Sequence, residues 1–393
     1  MRVIVQCGIK INDEYWFAAG NTNGLFRKDL LTGKVTFVGR FQQEDELAAR
    51  LYSSVAYADD KLIFSPCYAD SIAIYDLREG AFSYIPIEDG RKNSGNKYLK
   101  SVYYRNCIYF IPFCASSFLK YDVEHGKLEK LDAWDEVRNK YAGHETGSLI
   151  IEEICIDHDR IYMFADSTNQ VIILNMETGR FEVKQLDISA EERVSTVCRW
   201  EKSIWIVTNK NRIYRWDYSE DHLELMIDFQ CDIRNENHYN HLVCATERYI
   251  YIVNVYDKDI RAYDRVNDEF VTIEMSGYVT DKQDDYMSLY YYYDLHVIEH
   301  DRICLFSFYD GKYIIIDGAE VAEVSEEITL PVEYWEQDLN DAVISEQKLT
   351  YFGTSIVEWF QSVLRENISA KDQECRQENI GTAIYDAVMK GGV

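Results

Sequence analysis

The chain has 393 residues, with 41 lysines and arginines against 68 aspartates and glutamates, and its formal net charge is −27. A field of this sign repels phosphate backbones and anionic lipid headgroups, so we expect no nucleic-acid partner and no membrane insertion. The 47% of hydrophobic residues suffice for a large core, and the presence of only 4 prolines argues against extended disorder.

The first residues, MRVIVQCGIKINDEYW, do not form the uninterrupted apolar region of a secretion signal, because Lys10, Asn12 and Asp13 break it. We therefore expect a cytoplasmic protein with a soluble, acidic surface. The 10 cysteines contain no CxxC pair, so we interpret them as reduced and mostly buried side chains.

A hairpin pattern recurs along the chain: two short alternating runs flank a polar turn such as Asp59-Asp60 or Arg105-Asn106. In chain order the copies read VQCGIKINDEYWFAA from Val5, SVAYADDKLIFSP from Ser54, SVYYRNCIYFIP from Ser101, EICIDHDRIYMFA from Glu153, TVCRWEKSIWIVT from Thr196, LVCATERYIYIVN from Leu242 and HVIEHDRICLFSF from His296. The sequence thus predicts seven β-hairpins.

A second strand pair follows each hairpin, with an Asp or Asn at its turn and often a Gly a few residues later. The turn residues are Asp29, Asp76, Asp122, Asn175, Asp217, Asp264 and Asp317. Asx side chains accept bonds from nearby backbone amides, and glycine supplies positive φ, so we interpret these residues as structural.

Four strands per unit, repeated seven times, are typical of a β-propeller, and over residues 1–331 the chain resembles that superfamily. The predicted fold class is all-β: a seven-bladed β-propeller of four-stranded blades with a short C-terminal helical tail. The chain has neither the recurrent Gly-His and Trp-Asp pairs of Trp-Asp repeats nor the Gly-Gly doublets of kelch repeats. The resemblance therefore implies an architecture and no named activity.

Residues 332–393 change to helical spacing and form the predicted tail. Its apolar stripes include Ile356, Trp359, Phe360, Ile384 and Tyr385. We expect the tail to pack on the propeller. Engagement of a partner by these side chains, or formation of an oligomer through them, is the alternative.

The resemblance implies a binding face at one end of the central channel, built from loops that enter the innermost strands and loops that join second and third strands. Candidate ligand-binding residues on these loops are Asn21, Tyr68, Glu153, Asp166, Asn209, Lys210, His238, His241, Tyr256, Tyr292, Asp294 and Tyr309. Amides, carboxylates and aromatic rings suit a sugar or a peptide, although ordinary solvated loops have the same composition.

His238 and His241, with Asp294 and His296, come nearest to a metal-ligand set. Residues three apart point to opposite faces of a strand, so we predict neither a metal nor a cofactor. The sequence also has no GxSxG nucleophile motif and no GxxxxGK phosphate loop.

These observations favour a non-enzymatic binding or scaffold propeller that recognises a protein, peptide or glycan at its channel face. The alternative is a propeller lyase or hydrolase that acts on a glycan or peptide through the histidines His238 and His241 and carboxylates at the channel mouth, such as Glu152, Glu153, Asp166 and Asp294. The sequence leaves the question of catalysis open.

Overall fold

The computed structural model describes residues 3–44, 48–88, 96–141, 149–166, 168–228, 240–254, 257–279, 291–307 and 311–329, together with positions 331, 334, 350–351 and 354–355. Residues 2–328 form one compact unit, and the chain from Thr329 onward belongs to a second one.

Seven four-stranded antiparallel sheets follow one another along the first unit, and in each sheet every strand pairs with the next one in the chain. The first four blades comprise β1 Val5–Ile11, β2 Glu14–Ala19, β3 Leu25–Asp29 and β4 Val35–Gly39; β5 Tyr52–Ala58, β6 Lys61–Pro66, β7 Ser71–Asp76 and β8 Ala81–Pro86; β9 Tyr98–Tyr104, β10 Cys107–Pro112, β11 Leu119–Asp122 and β12 Lys127–Lys130; β13 Ile150–Asp157, β14 Arg160–Ala165, β15 Gln170–Asn175 and β16 Arg180–Gln185. The last three comprise β17 Val194–Trp200, β18 Ser203–Thr208, β19 Arg212–Asp217 and β20 His222–Asp228; β21 Asn240–Ala245, β22 Tyr249–Asn254, β23 Ile260–Asp264 and β24 Glu269–Ile273; β25 Tyr292–Glu299, β26 Arg302–Ser307, β27 Tyr313–Asp317 and β28 Glu320–Val324.

The first strand of each blade lies innermost, where it packs beside the first strand of a neighbouring blade. The seven-bladed β-propeller is therefore confirmed. The ring is not uniform, since β9 and β13 approach each other less closely than β5 and β9 do.

Burial follows the position of a strand within its blade. The second strands are almost wholly buried, as in β6, because adjacent blades cover both faces of the sheet. The outermost strands alternate between half-buried and exposed side chains, as in β8 and β16. The near-continuous apolar runs of the sequence thus mark second strands, and the polar alternating runs mark outer ones.

The predicted hairpins are confirmed at their turns. Asp59 and Asp60 have φ angles of 50° and 54°, and Arg105 and Asn106 have 45° and 60°. Two successive residues in the left-handed region make a type I′ turn, whose twist matches that of the strands it joins.

The predicted structural role of the Asx residues is also confirmed for six of the seven blades. Asp29 Oδ1 accepts hydrogen bonds from the amides of Leu31 and Thr32 at 2.9 and 2.8 Å. Equivalent side-chain bonds occur at Asp76, Asp122, Asn175, Asp217 and Asp264.

A β-bulge or a similar break in pairing lies near the start of the innermost strand in every blade. The shifts fall at Val5/Cys7, Tyr52/Ser54, Tyr98/Lys100, Ile150/Ile154, Val194/Thr196, Asn240/Leu242 and Tyr292/Asp294. A bulge bends a strand and redirects its side chains. Because every blade has a bulge at the same height, the bulges determine which residues of the innermost strands face the channel there.

The ring closes without strand exchange, because each blade comes from one continuous segment. The amide of Val3 donates to the carbonyl of Ile328 at 3.0 Å. The rings of Tyr15 and Phe306 stack across the junction of the first and seventh blades. A backbone hydrogen bond and side-chain packing, rather than a shared sheet, therefore close the ring.

One helix was not predicted from the sequence: α1, Ala133–Tyr141, between the third and fourth blades. Its Trp134 packs against Phe118 and Phe181, with ring centroids 5.5 Å apart in each pair. No helix among the described residues is long and apolar enough to cross a bilayer.

In the second unit the structure describes a short hairpin, β29 Thr350–Tyr351 with β30 Thr354–Ser355. The predicted tail helices and their side chains Ile356, Trp359, Phe360, Ile384 and Tyr385 lie outside the described residues. Partner binding and oligomer formation through the tail stay predictions, as does the domain division at residue 331.

Candidate functional site

Three charged side chains occupy equivalent positions at the bulges of three innermost strands: Lys100 on β9, Glu153 on β13 and Asp294 on β25. Lys100 and Asp294 pair with Ile111 and Phe306 of their second strands. In the fourth blade residues 151–153 lie opposite the single residue Phe164. The bulge of this blade therefore contains two extra residues, at the same height along the channel as Lys100 and Asp294. The bulges therefore gather these charges into one layer of the channel, which we call the charged layer.

Lys100 and Glu153 form an ion pair between the third and fourth blades, with Nζ and Oε2 2.5 Å apart. The lysine side chain is 37% exposed and the glutamate side chain 19%. Because the inner strands of these two blades are less closely packed, the pair bridges the junction with long side chains where backbone contact is weaker.

Asp294 contributes a second carboxylate, within electrostatic range of both partners of the pair. Its Oδ2 lies 3.3 Å from Nδ1 of His296, two residues further along β25, and its Oδ1 accepts the amide of Leu295. About half of the Asp294 side chain is accessible to solvent. Because protein surrounds the channel, the carboxyl of Asp294 is nevertheless partly desolvated, and this acts to raise its pKa.

The environments of the two carboxylates push their pKa values in opposite directions. Burial raises the pKa of Glu153, and the Lys100 ammonium opposes that rise. Burial also acts to raise the pKa of Asp294, but the hydrogen bond and charge of His296, together with Lys100, outweigh it and lower the pKa overall. Burial disfavours the charged form of Lys100, yet Glu153 and Asp294 raise its pKa. The layer therefore holds fixed charges of both signs.

A layer of thiols follows two residues further along three neighbouring strands, at Cys155, Cys198 and Cys244. Burial raises the pKa of each thiol, that of Cys244 to about 12. Protonated thiols are weak nucleophiles and poor metal ligands. Within the described part of the chain, no three His, Cys, Asp or Glu side chains converge as a metal site would require.

Two of the predicted ligand-binding amides bond to the backbone of a neighbouring segment. Asn21 Oδ1 accepts the amide of Ile4 at 3.1 Å, and Asn209 Oδ1 accepts the amide of Arg193 at 2.9 Å. Both bonds fix the segment that enters an innermost strand against the loop between second and third strands. A role for these residues in ligand binding stays a prediction.

The other described candidates lie on the same loop face. Tyr68 is half-buried, with the guanidinium of Arg50 5.8 Å from its ring centroid, and Lys210 is exposed. Burial raises the pKa of the half-buried Asp166. Tyr292 is buried, and its hydroxyl donates to the carbonyl of Lys258 at 2.6 Å. The structure brings none of these four into the charged layer.

His238, Tyr256 and Tyr309 lie outside the described residues, as does the side chain of His241, whose backbone belongs to β21. A ligand-binding role for these four residues stays a prediction.

Sequence reasoning missed a buried polar cluster beside the loop face. Glu192, 2% exposed, accepts bonds from Thr208 Oγ1 at 3.1 Å, Arg212 Nη1 at 2.6 Å and the hydroxyl of Tyr214 at 3.2 Å. These contacts fix the segment that enters the fifth blade. No local pattern distinguishes Glu192 from the neighbouring Glu191, so only the folded structure identifies it.

The sequence matches no known protein family and no curated protein. Solved structures share the fold. One is PorZ of Porphyromonas gingivalis, described as an essential bacterial surface component of the type-IX secretion system, with 11% identity and a TM-score of 0.51 over 84% of this chain. A second is the β-propeller domain of Cps50 (Swd1) from Myceliophteria thermophila, with 10% identity and a TM-score of 0.52 over 80% of this chain and 97% of that one. A third is BamB from Moraxella catarrhalis, with 9% identity and a TM-score of 0.51 over 83% of this chain and 87% of that one. The chain spans 39% of the length of PorZ. At these identities the likeness establishes the propeller fold and nothing finer.

Proposed function

We propose that this protein is a binding or scaffold propeller that recognises a protein, peptide or glycan at the loop face of its channel. The observation that carries the proposal is the charged layer. Lys100, Glu153 and Asp294 lie at one level near the loop face, partly accessible to solvent and held by one another and by His296. Fixed donors and acceptors of both signs in a concave site orient a polar ligand at little entropic cost.

The chemistry of the surrounding side chains is consistent with binding. Thiols with raised pKa values lie two residues further along the neighbouring innermost strands, and the loop-face amides Asn21 and Asn209 stabilise the loops. Fold neighbours such as PorZ, named as part of a secretion assembly, add general support for a role in binding.

A matched pair of variants tests this proposal. Lys100→Met with Glu153→Gln removes the channel ion pair, and Lys127→Met with Glu129→Gln removes an ion pair of the same composition, 2.6 Å long, on the outer strand β12. Calorimetric titration with panels of neutral oligosaccharides and of short peptides should detect a ligand of the wild type. We expect the channel variant to bind it at least tenfold more weakly and the outer variant to bind it unchanged. Equal affinities for all three proteins would reject the channel as the binding site.

One observation favours the lyase or hydrolase as a second candidate. Glu153 and Asp294 are two neighbouring carboxylates with pKa values shifted apart, which is the pattern of an acid and base pair. Turnover of a glycan or peptide by the purified protein, abolished by Glu153→Gln and retained by Glu129→Gln, would establish this candidate in place of a pure binding role.

We also retain a reducing, cytoplasmic location as a proposal. It is supported by the eight described cysteines, all of which are free thiols. Alkylation of the protein in its native source before lysis tests it: free thiols at these positions are expected, and disulfides would contradict it.

A further inference from the structure

At the end of the channel opposite the loop face, three consecutive blades expose an apolar side chain at the same position. Tyr57, Tyr103 and Ile156 are the next-to-last residues of β5, β9 and β13, and they are 36%, 47% and 41% exposed. We call these three the apolar arc. The equivalent residues of the first and fifth blades, Lys10 and Arg199, are basic.

The two tyrosine rings of the arc are held in place. The Tyr57 hydroxyl donates to Asp60 Oδ1 at 2.7 Å, and the Tyr103 hydroxyl donates to Asn106 Oδ1 at 3.0 Å. Each bond ties the ring to the hairpin turn that follows it. Rigid aromatic faces of this kind lose little conformational entropy on binding, as interface anchors do.

The turns around the arc are strongly acidic. The fourteen turns at this end, which join first to second and third to fourth strands, contain thirteen acidic residues and six lysines or arginines, and six of the seven third strands end in aspartate. The turns at the end of the propeller that exposes the arc therefore carry a net negative charge.

The charge of this surface indicates which kind of partner can bind it. A second copy of the chain carries a net charge of −27, and the segment 356–393 contains six acidic and four basic residues, so neither complements an acidic face. A basic segment does, and opposite charges both accelerate its encounter and fix its orientation.

We propose that the turn end of the propeller docks a lysine- and arginine-rich segment of a partner protein, whose apolar side chains pack on the arc of Tyr57, Tyr103 and Ile156. This second surface is separate from the loop face and goes beyond the function proposed above. Aromatic anchors surrounded by a polar rim are common in protein interfaces.

The direct test uses three synthetic peptides as probes: one of lysine, leucine and a single tryptophan, a counterpart with serine for leucine and tryptophan, and a counterpart with glutamate for lysine. Binding is measured by fluorescence anisotropy at about 0.15 M salt, where long-range attraction is screened. The variant Tyr103→Ser with Ile156→Ser removes most of the arc. Leu225→Ser with Met226→Ser removes a similarly exposed apolar pair, 46% and 39% exposed, from the outer strand β20.

We expect the arc variant to bind the first peptide about tenfold more weakly and the β20 variant to bind it as the wild type does. The serine peptide should bind weakly and the glutamate peptide not at all. Equal binding by both variants, equal binding of the serine peptide, or failure of the wild type to bind the first peptide would overturn the proposal. If the double variant does not fold, Ile156→Ser alone, which breaks no hydrogen bond of the turn, must still weaken binding.

Discussion

The rings of Tyr15, in the first blade, and Phe306, in the seventh, stack with centroids 5.5 Å apart and an interplanar angle of 15°. The stack continues through Phe17 to Phe26 in the first blade and reaches Tyr313 in the seventh. A row of aromatic rings thus crosses the junction between the first and last blades of the chain. No strand is shared there, and this row supplies apolar contact that helps to close the ring.

The closure predicts that Phe306→Ala destabilises the propeller by about 3 kcal/mol, because the substitution removes one ring from a stacked row. Phe270→Ala, on the outer strand β24 with the ring 38% exposed, is the control and should have a much smaller effect. Urea unfolding of both variants and the wild type measures the difference. Equal losses would mean that the stack does not close the ring.

The buried cluster at Glu192 predicts a second large effect. Glu192→Ala leaves the hydroxyls of Thr208 and Tyr214 without their acceptor and removes one carboxylate from Arg212, so we expect a loss of about 3 kcal/mol. Glu191→Ala, one residue earlier and exposed, is the control. Thermal unfolding of the two variants compares them, and a Glu192→Ala protein as stable as the control would contradict the role of the cluster.

The turn aspartates predict how stability depends on pH. Backbone amides lower the pKa of Asp76, and similar contacts lower that of Asp29. A lowered pKa in the folded state stabilises the protein above the ordinary carboxyl pKa, and this contribution is lost as the pH falls through the folded value. We therefore expect stability to decrease below about pH 4.

Asp76→Asn isolates one of these contributions, since the amide oxygen still accepts the turn bonds, as Asn175 does naturally in the fourth blade. The variant should fold normally at neutral pH and lose less stability than the wild type on acidification. Chemical unfolding at a series of pH values measures this, and parallel curves for the two proteins would show that Asp76 is not linked to acid unfolding.

The channel ion pair predicts coupling between its partners. Lys100→Met alone leaves Glu153 without its cation and should lower stability by about 1 kcal/mol, a modest loss because the lysine is partly exposed. Adding Glu153→Gln should recover part of this loss. A double-mutant cycle measures the coupling, and additive effects would indicate that the pair contributes nothing.

The sequence was sufficient to predict the blades because their turns carry local signals. Asp59-Asp60 and Arg105-Asn106 adopt the positive φ values of tight hairpins, and Asp29 and its counterparts bond to the amides that follow them. Helix α1 also left a signal: Trp134 and Val137 lie three residues apart and are both buried. That signal is short, and it was missed.

The candidate site was only partly predictable. The sequence predicts Glu153 and Asp294 as candidate residues. Their grouping with Lys100, however, depends on bulges that no local sequence pattern predicts. Lys100 and Glu153 are 53 residues apart in the chain. Contacts at such separations arise from the packing of adjacent blades against each other, which the sequence of one blade does not encode.

The most direct test of the channel as a binding site is hydrogen–deuterium exchange of the wild type with and without the tightest ligand from the oligosaccharide and peptide panels. We predict that the ligand slows exchange in β9, β13 and β25, around Lys100, Glu153 and Asp294, and leaves the outer strands β8 and β12 unchanged. Slower exchange confined to outer strands, or at no part of the three inner strands, would contradict the proposal that the channel binds the ligand.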